Sequence, residues 1–154
     1  MWKFKNIATL VLISFFWTKV CLCTKYELMY EAKNWSDAER HCASMKSHLG
    51  FASSKQEFLD IQAIVRKMKY KNITNIEANE FIPLVWVGIH KEDQGHEWKT
   101  VTGINLIDSG YNKFAGSHDS TNDENVSCAG VDAVNCGYRA WWCHRYLPYI
   151  CQHY

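Results

Sequence analysis

The 154-residue sequence has no basic tract, no Cys-x-x-Cys pair, no Gly-x-Ser-x-Gly elbow, no His-x-His or His-Glu-x-x-His spacing and no internal repeat. Each absence removes a class of function. Without clustered Lys and Arg, a nucleic-acid or other polyanion partner has no electrostatic footprint. Without two thiols separated by two intervening residues, the pattern of a zinc module is missing. His90, His96, His118 and His144 lack the spacing of a tetrahedral site. Ser117, His118 and Asp119 adjoin in sequence, but a hydrolytic triad is defined by placement in space. The chain is therefore predicted to be no enzyme and to carry no cofactor. After the first 23 residues there is also no apolar run approaching the about 20 residues that span a bilayer.

What is present begins with MWKFKNIATLVLISFFWTKVCLC. Lys3 and Lys5 form a positive region, an apolar run extends from Ile7 to Trp17, and small side chains follow at Cys21 and Cys23. This is the pattern of a cleaved secretory leader. A membrane anchor is the competing reading, but the run is short and Lys19 ends it. Residues 1–23 are thus predicted to be a signal peptide and residues 24–154 a single domain of 131 residues, long enough for a real core. The leader takes three lysines and no acid, leaving 14 basic against 16 acidic residues, formally −2.

Secretion changes how the cysteines read. Cys42, Cys128, Cys136, Cys143 and Cys151 enter an oxidising compartment, where bridges are expected rather than catalytic thiols. Five is an odd number, and sequence alone leaves the connectivity open. Secretion also activates the sequons at Asn34, Asn72 and Asn125. Asn72 lies in the most polar surroundings, whereas Asn34 precedes a tryptophan and a helix.

Two helices and several short strands follow from pattern. Ser36-Asp37-Ala38-Glu39 reads as a capping box opening a helix over 37–46, with Ala38, Cys42 and Met45 on its inner face. Ser54-Lys55-Gln56-Glu57 opens a second, with a core stripe of Phe58, Ile61, Ile64 and Val65 running to about Met68. Strands are expected at Leu84–Ile89, Glu97–Lys99, Ser127–Ala129 and Tyr149–Gln152, with Pro148 at the start of the last. From Thr102 to Glu124 the chain is polar and aperiodic, a long loop of the sort that often carries function. The order implies an α+β domain.

The stretch NWSDAERHCASMKSHLGFASSKQEF, the strand WVGI at 86–89, Trp98 followed by Gly103, and Cys128, Cys143 and Cys151 ending in PYIC together resemble the C-type lectin-like domain over nearly the whole mature chain. The resemblance implies two helices, short antiparallel strands, a long loop region and two bridges, Cys42–Cys151 and Cys128–Cys143. Trp142 would then pack beside a bridge, while Trp141 is balanced between packing and ligand contact.

The family's sugar-binding members hold calcium through a Glu-Pro-Asn or Gln-Pro-Asp triplet, a glutamate two residues before the loop cysteine, and a Trp-Asn-Asp motif. Here the matching positions are Ala115–Ser120 without proline or glutamate, Val126, and Tyr138-Arg139-Ala140. The standard site is dismantled, although Asp108, Asn112, Asp119, Ser120, Asn122, Asp123, Glu124 and Asn125 still supply oxygens. The function read from this is a secreted carbohydrate-binding lectin with a non-standard, calcium-independent site. Tyr111, Phe114, Tyr138 or Trp141 would stack on a sugar ring, helped by Asp119 and Asn122. The alternatives are a lectin-like module that binds an extracellular protein in defence, reproduction or antagonism, and a disulfide-linked structural protein. Cys136, with no place in the two-bridge scheme, either links two chains, pairs with a retained Cys23, or stays a quiet thiol.

Overall fold

A computed structural model describes residues 25–76, 82–92, 97–115 and 126–154. The chain runs β1 (Lys25–Lys33), α1 (Trp35–Ser44), β2 (His48–Leu49), α2 (Lys55–Arg66), β3 (Leu84–Lys91), β4 (Trp98–Thr100), β5 (Val126–Asp132), β6 (Arg139–Trp142) and β7 (Leu147–His153). Short 3-10 turns occupy Tyr70–Asn72 and Leu106–Asp108. The strands form one sheet in the order β1-β7-β3-β5-β6, with β2 on β7 and β4 on β3. Pairing is antiparallel except between β3 and β7, where Trp86 meets Tyr149 in parallel. Two helices on an open sheet with two disulfides make the predicted α+β architecture.

Alternation along β3 explains why its sequence is one unbroken apolar run. Leu84 and Trp86 join the cluster built around Trp35, Ala38 and Cys42 of α1. Val85, Val87 and Ile89 join the cluster around Phe58, Ile61 and Val65 of α2. Successive side chains point to opposite faces, and a strand covered on both faces has no solvent side to be polar. Strand β7 divides likewise, Leu147, Tyr149 and Cys151 to one cluster and Ile150 to the other.

The helix starts differ from expectation in detail. The N-cap of α1 is Asn34, not Ser36: its Oδ1 accepts from Asp37 N at 2.9 Å and its Nδ2 donates to Asp37 Oδ2 at 2.7 Å. Trp35 decides this, because the helix must begin early enough to bury its ring and let Nε1 donate to Val87 O at 2.9 Å. Ser54 does cap α2 through Glu57 N, yet the Glu57 carboxylate reaches back to Ser53 N and Oγ rather than to Ser54. The core stripe of α2 includes a polar member, Gln62, which is fully buried, while Ile64 is only partly covered. The strands are longer than their apolar centres, and β1, β2 and β6 lie outside the predicted set.

Cys42 is bonded to Cys151, tying α1 to β7 across 109 residues. Cys128 is bonded to Cys143, closing 15 residues around the β5–β6 hairpin. The Cys136 thiol is free and exposed in the turn between β5 and β6.

Candidate functional site

The surface on which the family builds its ligand site is formed here by the 102–115 segment, β5, the β5–β6 turn and β6. The Asp132 side chain organises the turn. One carboxylate oxygen accepts from Val134 N at 2.8 Å and Asn135 N at 2.6 Å. The other accepts from Asn135 Nδ2 at 2.6 Å and from the Arg139 guanidinium at 2.9 Å. Burial alone would raise this acid's pKa, but the hydrogen bonds from Asn135, Val134 and Arg139 outweigh it and hold the carboxyl below its ordinary value. Gln62 of α2 completes the anchor by donating to the carbonyls of Asp132 at 3.1 Å and Asn135 at 2.7 Å. In turn its Oε1 accepts from Arg66 at 2.7 Å.

Several residues expected to meet a sugar do come together, but they meet one another. Tyr138 is fully buried, and this corrects its expected exposure. Its hydroxyl accepts from Ala52 N at 3.1 Å, and burial pushes its phenol above the ordinary pKa. Phe58 stacks on Tyr111 at 4.7 Å and meets Tyr138 edge-on at 5.4 Å. Phe114 contacts Tyr138 at 5.9 Å and Trp98 at 4.8 Å. Backbone bonds between Tyr138 and both Lys113 and Ala115, each 2.9 Å, hold that segment against the β6 entrance. Tyr111 and Phe114 are thus half-buried core edges rather than open platforms.

The two tryptophans exchange their expected weights. Trp141 is half-buried against the α1-side cluster, and its Nε1 is buried with no hydrogen-bond partner among the described residues. Trp142, expected to pack beside the bridge, is the more exposed of the two at 36% and meets Trp141 edge-on at 5.0 Å. Asp119, Asn122 and Asn125 lie outside the described residues. Of the remaining sequons, Asn72 is exposed at the end of its 3-10 turn, while Asn34 is committed to capping α1. His90 lies against the Trp35 ring at 4.7 Å. Among the described residues no three His, Cys, Asp or Glu side chains gather as a metal site.

Calcium requires six to eight oxygens, and the positions that would supply them here do not fit. Val126 is a buried alkyl side chain, and Tyr138 points its hydroxyl into the core. Arg139 brings a cation that already neutralises the nearest buried carboxylate, Asp132. A divalent ion would face a guanidinium where the family has an amide oxygen.

One concavity opens beside the Trp98–Phe114 pair. It encloses about 250 Å³ and is lined by Glu97, Trp98, Asn105, Leu106, Ile107, Asn112 and Phe114. Asn105 shapes it twice: its Oδ1 accepts from Ile107 N at 3.2 Å, and its Nδ2 donates to Glu97 Oε2 at 3.0 Å. Neither Glu97 nor Asn105 stood out in the sequence, because an isolated Glu or Asn in a polar stretch carries no periodic signal.

The family model described as the Lectin C-type domain matches residues 31–153. The chain belongs to the C-type lectin domain family. It is 27% identical over 139 residues to the snaclec coagulation factor X-activating enzyme light chain 2 of Macrovipera lebetinus, covering 82% of this chain and 73% of that one. Among solved structures, the carbohydrate-recognition domain of the mouse scavenger receptor C-type lectin superposes with a TM-score of 0.64 at 22% identity, over 84% of this chain and 87% of the other. A calcium-independent type II antifreeze protein gives 0.63 at 18% identity, over 83% and 84%. These two likenesses establish the fold. As a C-type lectin domain the chain is a non-enzymatic binding module of a type found outside cells. No helix among the described residues is long and apolar enough to cross a membrane.

Proposed function

We propose that this C-type lectin domain acts as a secreted protein-binding module, and that a sugar is not its main ligand. The observation that carries the proposal is the fate of the family's calcium-and-sugar positions. Arg139 is locked to Asp132, Tyr138 is buried, and Val126 offers no oxygen. A sugar bound without calcium would need an open aromatic face, yet Tyr111 and Phe114 spend theirs on Phe58, Trp98 and Tyr138. The snake relative supports the same direction, since its name makes it one chain of an enzyme assembly. The leader at 1–23 would deliver the domain to the extracellular space. Cys136, exposed on a turn held rigid by Asp132, would link the chain to a second polypeptide through a disulfide.

A glycan array probed with the purified chain in calcium and in EDTA is expected to stay blank. Recovery of a stoichiometric complex that survives enzymatic deglycosylation of the partner would support protein recognition. Dose-dependent binding to a defined glycan would overturn it.

A further inference from the structure

The concavity beside Trp98 has a chemistry of its own. Its volume of about 250 Å³ falls below the roughly 300–1,000 Å³ of pockets that enclose a whole small molecule, and so suits a single side chain. Its walls are the Trp98 and Phe114 rings, tilted at 41° with centroids 4.8 Å apart. Aromatic faces carry negative charge density and attract cations. The protein already shows this at the same tryptophan: Lys91 Nζ lies 4.9 Å from the Trp98 centroid, and Lys91 does not line the pocket.

The rim adds a fixed carboxylate. Glu97 is exposed, and one of its oxygens is held by Asn105 at 3.0 Å. Unlike neighbouring Glu92, which is paired with Lys99 at 2.8 Å, Glu97 has no cationic partner among the described residues. The lip is apolar: Ile107, which lines the pocket, is 75% exposed. An exposed isoleucine next to a carboxylate and an aromatic pair matches one kind of group, a cation on a hydrocarbon stem.

We infer that this pocket is the subsite for an arginine or lysine side chain of the protein partner. The inference rests on the protein-binding reading and names what that partner inserts. The head group lies across the exposed side of the Trp98–Phe114 pair and bonds the Glu97 carboxylate, and the stem lies along Ile107. An arginine is the better occupant, because its planar fork presents parallel N–H donors to a carboxylate.

The test is a titration of the 15N-labelled full chain followed by NMR. The probes are Nα-acetyl-arginine methylamide, its neutral citrulline isostere, and methyl α-mannoside. The arginine probe is expected to move the Trp98 indole N–H and the amides of Asn105, Ile107 and Asn112, with saturation in the millimolar range. Citrulline is expected to bind about five-fold more weakly, the upper end of what an exposed charge pair contributes. Glu97→Gln is expected to bring arginine down to the citrulline level while the melting temperature stays unchanged. Equal binding of arginine and citrulline, indifference to Glu97→Gln, shifts confined to other regions, or no shifts at all would each overturn the inference. Mannoside moving the same resonances would also overturn it and make the pocket a sugar site. The outcome is separable from the wider reading. A blank glycan array with an unresponsive pocket removes the subsite alone, whereas a glycan-positive array with an arginine-responsive pocket removes the protein partner alone.

Discussion

Replacing Asp132 by asparagine is the most informative single change in the β5–β6 turn. Both oxygens of the native carboxylate accept, with four donors between 2.6 and 2.9 Å. Asparagine keeps one oxygen for the Val134 and Asn135 amides. Its NH2 group then points at Asn135 Nδ2 and Arg139 Nη1, donor against donors. Hydrogen bonds to a charged group contribute about 1.5–3 kcal/mol, and breaking a well-buried ion pair costs about 3–5 kcal/mol. The Asp132 side chain is 8% exposed but the Arg139 side chain 30%, so water recovers part of the loss. A net cost of about 2–3 kcal/mol follows. A domain of this size loses roughly 3–4 °C per kcal/mol, so Asp132→Asn is expected to melt about 6–12 °C lower at pH 7. Circular dichroism melts across pH supply the stricter check. The folded-state pKa of Asp132 is depressed, so its stabilisation is complete above the unfolded carboxyl value of about 3.9. It is lost as pH falls through the folded value. The wild-type and variant curves should therefore converge in acid, where the native side chain is itself neutral. A variant within 2 °C of wild type at pH 7, or a gap that does not narrow as the pH falls into acid, would refute the reasoning.

Two glycines should separate sharply. Gly88→Ala places a methyl 2.2 Å from the Leu49 carbonyl oxygen, a backbone atom that cannot move aside, so soluble folded protein should be lost on expression. Gly103→Ala meets nothing within 4 Å and bears only the strain of φ +82°, about 1–2 kcal/mol, visible as a melt lowered by a few degrees. Millimolar calcium should leave the melting temperature unmoved; an EDTA-reversible rise of several degrees would mean that the 119–125 oxygens rebuild a site. On a non-reducing gel the chain should run at twice its monomer mass or with a partner, and Cys136→Ser should return it to monomer with its fold intact. A wild-type monomer band with one promptly reactive thiol would reject the link.

Much of this fold could be read before its coordinates. The α2 stripe, the apolar β3 run and the order of cysteines each had a physical signature, because burial on a fixed period leaves few residue choices. What escaped notice did so for identifiable reasons. Strand β1 carries Tyr26, Leu28, Tyr30 and Ala32 on alternate positions, a period of two. Met29 interrupts the charged face between Glu27 and Glu31 and blunts that alternation. Strand β6, Arg-Ala-Trp-Trp, has no alternation at all and is defined only by pairing with β5. The shifted start of α1 turned on Trp35, since Asn34 and Ser36 are both good caps and only a tertiary contact chooses between them. At the candidate site the absences were legible: Val126, Arg139 and Ala140 could be seen as wrong for calcium. Whether an aromatic faced solvent could not. Tyr138 and Trp142 carry side chains at home in either place, and Gln62 shows that a polar residue can sit at the core when backbone carbonyls wait for it.

The pairing of β1 with β7 brings Lys25 opposite His153, so the two ends of the folded unit leave it side by side. Tension applied through those ends would meet the strand pair as a zipper, peeling its hydrogen bonds one at a time instead of shearing them together. The Cys42–Cys151 bond then sets a hard stop. Only the residues before Cys42 and after Cys151 can pay out, about 20 residues or roughly 70 Å of slack. The 109-residue loop behind the bond stays sealed until it is reduced. A single proteolytic cut inside that loop would likewise leave both fragments covalently joined. Such a unit yields at low force, over a short and fixed distance, and then holds.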